Sequence, residues 1–567
     1  YDESGNPTSW VNRRGNGLPD DPAHPPRIDE HIINYEYDDA GRLAAKAYAD
    51  GSLVEYYWDG RGNLDYTIDD SGRTDFTYDE DNFLIRIDYP GSDAYPDGHF
   101  LEYTWDDAGR RTSLTNELGD VQYYHYGDAG RLESMTDEEG DLIVRYEYDV
   151  AGRMKKKTLG NGVYTTYTYT DAWELDVLSN RMPDGTILSQ FDYEYDSRGR
   201  RVAMTTTYGQ SDDPREAAGY EGRWDYEYDD LGQLIAWQDP TGHRVEYVYD
   251  ALGNRVMVTE DGVVTDYTTN TLNQYTQVGD TTYTFDLDGN LTREDNADGS
   301  WTQYTYNDEN RLTSIETSNG DLWAYGYHAL GHRDSVMEGN PTAGSTMETH
   351  VVDPFGLGNL VGAYGAGTGS NHTCYVHGYG LLQQRSSTSG VEWVTTDAIG
   401  SIQETLSDDL LLMDANVLGP FGSQFYGDSQ ARVSLWGGWG ILTGHSSGIW
   451  VRRRQYSPTI GRFMSQDQGG RQRTQANRYV YGHNNPILFV DVDGFRAVRT
   501  TRTTSVRRIS RKGRGVITPD PEWDRMWELM SDPDFLGTPY YRHVNTLGRA
   551  FKDPRGAVPD VPDMDGG

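Results

Sequence analysis

The chain of 567 residues has a single cysteine, Cys374, so no intrachain disulfide can form and a small disulfide-stapled scaffold is excluded. It has no apolar run approaching the roughly 20 residues that a membrane-spanning helix needs. Basic residues are scarce, with 49 Lys and Arg against 90 Asp and Glu. Because phosphate binding requires clustered Lys and Arg, this excess of acid disfavours nucleic acid as the main partner. We expect Cys374 to be a small buried side chain rather than a reactive thiol.

Aromatic residues and glycine are abundant, with 43 Tyr and 65 Gly. Disordered chains are poor in aromatics, so the composition predicts a folded protein in spite of a net charge of −41. Tyr and Gly together favour many short strands joined by tight turns. The negative charge suits solubility or a salty or extracellular setting, and does not choose between them.

A nine-residue phrase recurs along the chain, as YEYDDAGRL at 35–43 and YEYDVAGRM from Tyr146. Asn82, Asn273, Asn310 and Trp173 stand where most copies have glycine. Most copies are 20 to 22 residues apart, and a fixed period of this size indicates a repeat architecture. The glycines that mark the copies are Gly41, Gly62, Gly109, Gly130, Gly152, Gly199, Gly232, Gly253, Gly289 and Gly331.

Each copy is interpreted as a strand followed by a tight turn. In Tyr35-Glu36-Tyr37 the tyrosines share one face, the period of two that is typical of a strand. Gly and Asn fit the end of the turn because they tolerate a left-handed backbone. A second turn follows about ten residues later, so each repeat predicts one antiparallel hairpin. No helix pattern interrupts the repeats before about residue 340. The all-β sheet must curl, and a hollow wall, a β-propeller and a β-solenoid all remain open.

The phrase resembles the YD repeat of RHS-repeat proteins, which include bacterial polymorphic toxins, the C component of insecticidal toxin complexes and the YD shell of teneurins. VVDPFGLGNL at 351–360, EWVTTDAIGSIQETLSDD at 392–409 and VLGPFG at 417–422 resemble the segment before the RHS-associated core. RQYSPTIGRFMSQD at 454–467 and NRYVYGHNNPILFVDVDG at 477–494 resemble the core itself. The resemblance implies a spiral of antiparallel hairpins, closed into a hollow cocoon and plugged by the core.

The resemblance also implies a domain organisation. Residues 1–340 would be YD repeats of the wall, 341–440 the last shell strands leading into the core, 441–495 the core, and 496–567 a variable C-terminal segment. YDESGN at the start of the chain itself looks like a repeat, so upstream shell or delivery components are expected partners.

Three functions are compatible with these residues. The first is a shell that encloses its own C-terminal segment, as cargo or plug, for secreted toxin delivery or competition between bacteria. The second is a teneurin-like structural or adhesion protein, extracellular or at the cell surface, that releases no toxin. The third is a carbohydrate-active β-protein, which the many Tyr and Asp residues leave open. We therefore expect a secreted, extracellular or cell-surface location.

In many relatives the core cuts the chain just after itself, with the aspartates of two Asp-Pro-x-Gly boxes acting as in an aspartic protease. The matching boxes here read DQGG at 467–470 and DVDG at 491–494. Both aspartates are present, both prolines are absent, and the boxes are further apart than in the family. The matching scissile bond is Phe495–Arg496. Any enzymatic activity expected from this sequence is limited to autoproteolysis at that bond.

Asp467 and Asp491 are the candidate catalytic pair, with Asp493 the alternative for the second role. Two carboxyls held close together do not both ionise, so one can activate a water while the other polarises the carbonyl. Aspartate beside glycine is also ordinary turn chemistry, which is the competing explanation. We expect the basic run Arg452–Arg454 to pair with the acidic wall rather than to steer a substrate.

The segment 496–567 differs in charge, with 13 Lys and Arg against 10 Asp and Glu, so it carries +3 while the rest of the chain carries −44. Its basic stretch at 497–515 suits contact with an acidic inner wall. Asp520 and Pro521 predict the start of a helix over about 521–531, and the last residues are expected to be disordered. DLDGN at 286–290 lacks the spaced ligands of a calcium loop and is interpreted as a repeat turn. No metal site and no cofactor are expected.

Overall fold

The structure of the protein is a computed structural model that describes residues 1–2, 6–16, 28–91, 98–209, 213–340, 344–356, 358–366, 371–428, 435–443, 448–467, 477–494 and 497–499. Within this part of the chain, 36 strands form one sheet. Every strand pairs antiparallel with its neighbours in sequence, for example β28 with β29 and β29 with β30 once the strands are numbered as below. The fold is therefore all-β, as expected.

The first eighteen strands of the main sheet are β1 Ser9–Val11, β2 Ile32–Tyr37, β3 Leu43–Tyr48, β4 Leu53–Trp58, β5 Leu64–Asp69, β6 Gly72–Tyr78, β7 Leu84–Tyr89, β8 His99–Trp105, β9 Arg111–Asn116, β10 Val121–Tyr126, β11 Leu132–Thr136, β12 Leu142–Tyr148, β13 Met154–Leu159, β14 Tyr164–Tyr169, β15 Leu175–Arg181, β16 Ile187–Tyr195, β17 Arg201–Thr207 and β18 Gly222–Tyr228. The other eighteen are β19 Leu234–Gln238, β20 Arg244–Tyr249, β21 Arg255–Glu260, β22 Val263–Thr269, β23 Tyr275–Val278, β24 Thr281–Phe285, β25 Leu291–Asp295, β26 Trp301–Tyr306, β27 Leu312–Thr317, β28 Leu322–Tyr327, β29 Arg333–Asn340, β30 Gly344–Asp353, β31 Asn359–Gly365, β32 His372–Gly378, β33 Gly380–Ser386, β34 Gly390–Thr396, β35 Ile402–Ser407 and β36 Leu412–Ala415.

Short strands follow the main sheet and form small sheets of their own. They are β37 Val417–Leu418, β38 Gln424–Tyr426, β39 Leu442–Thr443, β40 Ile449–Val451, β41 Arg454–Ser457, β42 Arg462–Phe463, β43 Phe489–Asp491 and β44 Ala497–Arg499. We call residues 435–494 the core segment. The predicted helix at 521–531 and the predicted disordered end lie outside the described residues.

The recurring phrase builds a strand, a tight turn and a bulge. In the first copy the amide of Gly41 donates to the carbonyl of Asp38 at 2.8 Å, which closes the turn. Gly41 has φ +74°, and the pairing register shifts as Tyr37 meets Leu43. A turn that ends in a left-handed residue with a bulge is a common three-residue hairpin. The other nine marker glycines, with Asn82, Asn273, Asn310 and Trp173, also have positive φ.

Tyrosine suits this wall because its ring is apolar and its tip is polar. The first tyrosine of the phrase is buried, as at Tyr146 and Tyr226. The second lies at the bulge and donates its hydroxyl to a backbone carbonyl of the preceding hairpin. Tyr195 donates to Leu175 at 2.6 Å in this way, and equivalent bonds are made by Tyr148, Tyr169, Tyr228, Tyr249 and Tyr327. These bonds tie neighbouring repeats together at the turn end of each strand.

The sheet winds into a spiral, so that repeats distant in sequence are in contact. The Tyr56 hydroxyl donates to the Ala329 carbonyl, 273 residues later, at 2.9 Å. Tyr89 contacts the Val352 carbonyl, 263 residues later, at 2.5 Å. Further along, Arg215 is fully buried and pairs with Glu404 at 2.5 Å. One continuous sheet that returns to itself is not a β-propeller, whose blades are separate sheets.

Two short helices interrupt the repeats, which the sequence patterns did not predict. They are α1 Arg13–Asn16 and α2 Pro214–Ala217. Helix α2 lies in the insertion near residue 213, where the Asp213 side chain accepts from the Arg215 amide and Pro214 occupies the first turn. Single 3-10 turns occur at Ile28–Glu30, Gly437–Trp439 and Gly482–Asn484. Cys374 is buried and free, as expected.

Candidate self-cleavage site

The candidate aspartates lie where two stretches of the core segment run side by side. The Phe463 amide donates to the Tyr479 carbonyl at 2.9 Å, and the Asp467 amide donates to the Arg478 carbonyl at 3.1 Å. The chain then continues from 481 into β43, which ends at Asp491. The apolar cluster beneath includes Trp436, Tyr456, Phe463, Tyr481 and Val490, all buried. This packing fixes the backbone that carries the carboxylates.

Asp491 is almost fully buried, with 3 % of its surface exposed. Its Oδ1 accepts from the Gly494 amide at 2.9 Å, and its Oδ2 faces Arg454 Nη2 at 3.3 Å. Its own amide donates to the Tyr481 hydroxyl at 3.0 Å. The side chain and backbone of Asp491 are therefore held in one orientation.

The environment of Asp491 favours its protonated form. Burial raises the pKa of this carboxyl well above its usual range, and the nearby Asp493, which hydrogen-bonds to it, raises the pKa further. The positive charge of Arg454 opposes both effects, and the charge of Asp467 adds to them. A carboxyl that keeps its proton, with other carboxyl groups beside it, is the arrangement expected for acid–base chemistry.

All three predicted aspartates are brought together. Asp493 is 5 % exposed and makes the direct contact with Asp491, whereas Asp467 acts on Asp491 through its charge and is less buried. The residue given the alternative role therefore lies in closest association with Asp491. The sequence spacing alone does not show this. Backbone pairing places 462–467 beside 478–480, and the Tyr481 hydroxyl then accepts from the Asp491 amide.

Glycine is required at position 494 for two reasons. Its φ is +80°, which L side chains rarely adopt. A Cβ built there would lie 2.7 Å from the Val451 carbonyl oxygen. The tight turn at Gly494 lets its amide reach Asp491, and Arg454 Nε donates to its carbonyl oxygen.

The predicted scissile bond, Phe495–Arg496, lies outside the described residues. The residues that flank it are described, since Asp491 pairs with Ala497 across the β43–β44 hairpin. The carboxylate of Asp491 is therefore on one strand of the hairpin whose connection contains that bond.

Two residues beside the aspartates were not singled out from the sequence as parts of the site. Arg454 is 5 % exposed, lies over the Phe463 ring at 3.5 Å and contacts both Asp491 and Gly494. Tyr481 stacks on Trp436 with ring centroids 4.2 Å apart and accepts from the Asp491 amide. Two features of the sequence could have pointed to them: the run of basic residues that contains Arg454, and the two tyrosines of YVYG at 479–482.

The expectation that Arg452–Arg454 pairs with the acidic wall is wrong for Arg454. Arg454 pairs with Asp491 inside the core segment. Arg452 is buried and donates to the Val492 carbonyl at 2.5 Å and to the Asn359 side-chain oxygen at 2.8 Å. Burying an N–H donor without an acceptor costs free energy. Buried guanidinium groups are therefore usually paired with carbonyl or carboxylate oxygens.

No group of three or more His, Cys, Asp and Glu side chains among the described residues is arranged to hold a metal ion. In the same part of the chain, no helix is long and apolar enough to cross a membrane. The DLDGN stretch forms a repeat turn, with the Gly289 amide donating to the Asp286 carbonyl at 3.1 Å.

Comparison with protein families finds RHS Repeat matches at residues 105–142, 126–164 and 228–264. The tRNA3(Ser)-specific nuclease WapA of Bacillus spizizenii is 26 % identical over 277 residues, which are 46 % of this chain and 11 % of that protein. The probable deoxyribonuclease RhsA of Dickeya dadantii is 24 % identical over 379 residues, 61 % of this chain and 24 % of that protein. The chain thus spans a quarter or less of these relatives.

Among solved structures, the crystal structure of TcdB2-TccC3 matches 87 % of this chain and 29 % of that chain, with a TM-score of 0.70 and 17 % identity. The Photorhabdus luminescens Tc holotoxin pore structure matches 83 % of this chain and 27 % of that chain, with a TM-score of 0.67 and 16 % identity. At this identity the likeness concerns the fold. Together with the period, the hairpins and the spiral sheet, these matches show that the chain contains RHS repeats and folds as a β-shell like that of TcdB2-TccC3.

Proposed function

We propose that this shell encloses its own C-terminal segment and severs it at Phe495–Arg496, for secreted toxin delivery or competition between bacteria. The observation that carries the proposal is the convergence of Asp467, Asp491 and Asp493 immediately before that segment. The nuclease names of the WapA and RhsA relatives support a toxin context.

The proposed reaction is hydrolysis of one peptide bond. Asp467, the less buried carboxylate, takes a proton from water, whose oxygen attacks the carbonyl carbon of Phe495. Asp491 holds its proton, hydrogen-bonded with Asp493, and supplies acid to the reacting group. The C–N bond breaks, leaving a carboxylate on Phe495 and an amine on Arg496. Arg454 positions Asp491 and the Gly494 carbonyl, both on the N-terminal side of the scissile bond.

Charge supports enclosure. The segment 496–567 carries +3 against −44 for the rest of the chain, so it is attracted to the wall. Of that segment, the structure describes Ala497–Arg499, which pair with β43 against the wall.

A structural scaffold without release is the second candidate function. The observation that favours it is that Asp491 accepts from Gly494 and faces Arg454, which gives it a structural role independent of any reaction. The absence of proline from both aspartate boxes, at 467–470 and 491–494, also favours a scaffold.

The intact mass of the denatured full chain, purified from cells grown normally and then incubated in H2¹⁸O, separates the two functions. Release predicts two fragments that meet at Phe495 and Arg496, with ¹⁸O on the new Phe495 carboxylate in material cut during the incubation. It also predicts loss of cutting in D467N and in D493N. A single uncut chain in the parent contradicts release and favours the scaffold.

A further inference from the structure

The hairpin that carries Asp491 is fastened to one turn of the repeat wall. Arg201 Nη1 donates to the Ile487 carbonyl at 3.1 Å, just before β43 begins. From the other strand of the hairpin, Arg499 Nη2 donates to the Gly199 carbonyl. The wall turn at Gly199–Arg201 therefore holds the hairpin on both sides of the proposed scissile bond.

Arg201 is itself rigidly placed. It is 3 % exposed, and its guanidinium lies 4.2 Å from the centre of the Tyr193 ring. Its Nε lies 3.5 Å from the Tyr195 hydroxyl. Both tyrosines belong to the repeat phrase that precedes this turn, so the position of Arg201 depends on a folded repeat.

The preceding part of the core segment is fastened to the next wall turns in the same manner. Asn485 donates to the Gly232 carbonyl at 2.9 Å, and Asn484 donates to the Gly253 carbonyl at 2.8 Å. The Tyr479 hydroxyl donates to the Gly289 carbonyl at 2.8 Å. The marker glycines of successive repeats thus present their carbonyls to the core segment. The geometry of the aspartates is set by contacts that exist only when this stretch of wall is folded.

The hairpin has little stability of its own. Its strands, β43 and β44, have three residues each, and an isolated two-stranded hairpin is marginal at best in water. A displacement of about 1 Å in reacting groups can slow a reaction about 100-fold. Loss of the wall contacts would therefore loosen the aspartates more than it would disturb the wall.

We propose that the wall turn Gly199–Arg201 is a positioning element that makes self-cleavage conditional on a folded wall, so that the C-terminal segment is severed only after the shell around it has formed. This inference rests on the proposed function. Arg201 acts through the backbone of the hairpin and touches no reacting atom.

The test measures the rate of self-cleavage of the full chain, refolded from denaturant, by intact mass over time. We expect R201M and R499M each to slow cutting at least tenfold, because each removes the donors on one side of the hairpin. R201K, which keeps a donor for the Ile487 carbonyl, should recover part of the rate lost in R201M. R198M is the matched control, since Arg198 lies in the same turn with an exposed side chain, and it should cut at the parent rate.

Thermal unfolding of each variant distinguishes positioning from loss of fold. The proposal is supported by slow cutting in R499M, or by slow cutting in R201M that R201K partly restores, where the unfolding temperature equals that of R198M and the pH profile keeps its shape. Cutting at the parent rate in both R201M and R499M overturns it while leaving aspartate-dependent cleavage intact. Equal rates in R201K and R201M, with R499M at the parent rate, also overturn it. A parent chain that is never cut overturns both this inference and the proposed function.

Discussion

The wall and the core segment both have a glycine three residues after an aspartate, but the two aspartates lie in opposite environments. In the wall turn at Asp38, the carboxylate is partly exposed and accepts from the amides of Ala40 and Arg42 at 3.0 and 2.9 Å. Partial burial raises its pKa, but the hydrogen bonds and charge of Arg42 lower it more, so the pKa lies below the usual value. Asp491 in the core segment is buried, and its pKa lies well above the usual value.

The spacing of Asp and Gly therefore carries no chemistry by itself. In the wall, the arginine that pairs with the aspartate comes from the same turn, four residues later, at 2.6 Å. In the core segment, the arginine comes from another strand, and two more aspartates lie nearby. Burial and the neighbouring carboxyls, rather than the local sequence, separate a structural aspartate from a candidate catalytic one.

Substitution of the turn glycines should give the largest stability contrast between the two regions. Gly41→Ala meets no atom closer than 3.8 Å and should cost about 1–2 kcal/mol from its left-handed backbone alone. Gly494→Ala also collides with the Val451 carbonyl at 2.7 Å, which should add about 1–3 kcal/mol of packing strain. Urea unfolding of both variants checks this order.

Gly41→Asn serves as the control for the wall, because Asn occupies the same place at Asn82, Asn273 and Asn310. It should cost less than Gly41→Ala. Equal losses of stability for the Gly41→Ala and Gly494→Ala variants would break the contrast between the two turns.

The pH dependence of stability should have opposite signs in the two regions. Asp491 binds its proton more tightly in the folded state, so its burial destabilises the fold as pH rises above the unfolded value of about 3.9. Asp38 has a lowered folded pKa, so its contribution is present above about pH 3.9 and is lost as pH falls through the folded value.

The urea midpoints of D491N and D38N, each compared with the parent across pH, measure these contributions separately. The urea midpoint of D491N should rise relative to that of the parent as pH rises. The midpoint of D38N should lie below that of the parent at neutral pH and approach it as pH falls. The D38N effect should be the smaller, because Asp38 is partly exposed. A D491N midpoint that tracks the parent at every pH would show that Asp491 does not hold a proton in the fold.

The repeat itself could be predicted from the sequence because its signals are local. The alternation in Tyr35-Glu36-Tyr37 lies in β2, and the turn after it ends at Gly41. Helix α2 has a local start signal in Asp213-Pro214, but it lies in an insertion where the period of the repeat gives no information. The spiral contacts, such as Tyr56 with Ala329, join residues so far apart that no local pattern encodes them.

The site could be predicted only in part for the same reason. Asp467, Asp491 and Asp493 were found through the resemblance of their boxes. Arg454 was grouped by its charge with Arg452 and assigned to the wall, since sequence does not show which acid a basic residue meets. The fastening of β43 to Arg201 depends on a backbone carbonyl, Ile487, which leaves no mark in the sequence.

Self-cleavage of D491N and of D38N, compared by intact mass of the denatured full chain, distinguishes a catalytic aspartate from a turn aspartate. If Asp491 is a member of the cleaving group and Asp38 belongs only to a turn, D491N stays uncut while D38N is cut at Phe495 as the parent is. Cutting of D491N at the parent rate, or an uncut parent, would exclude Asp491-dependent self-cleavage.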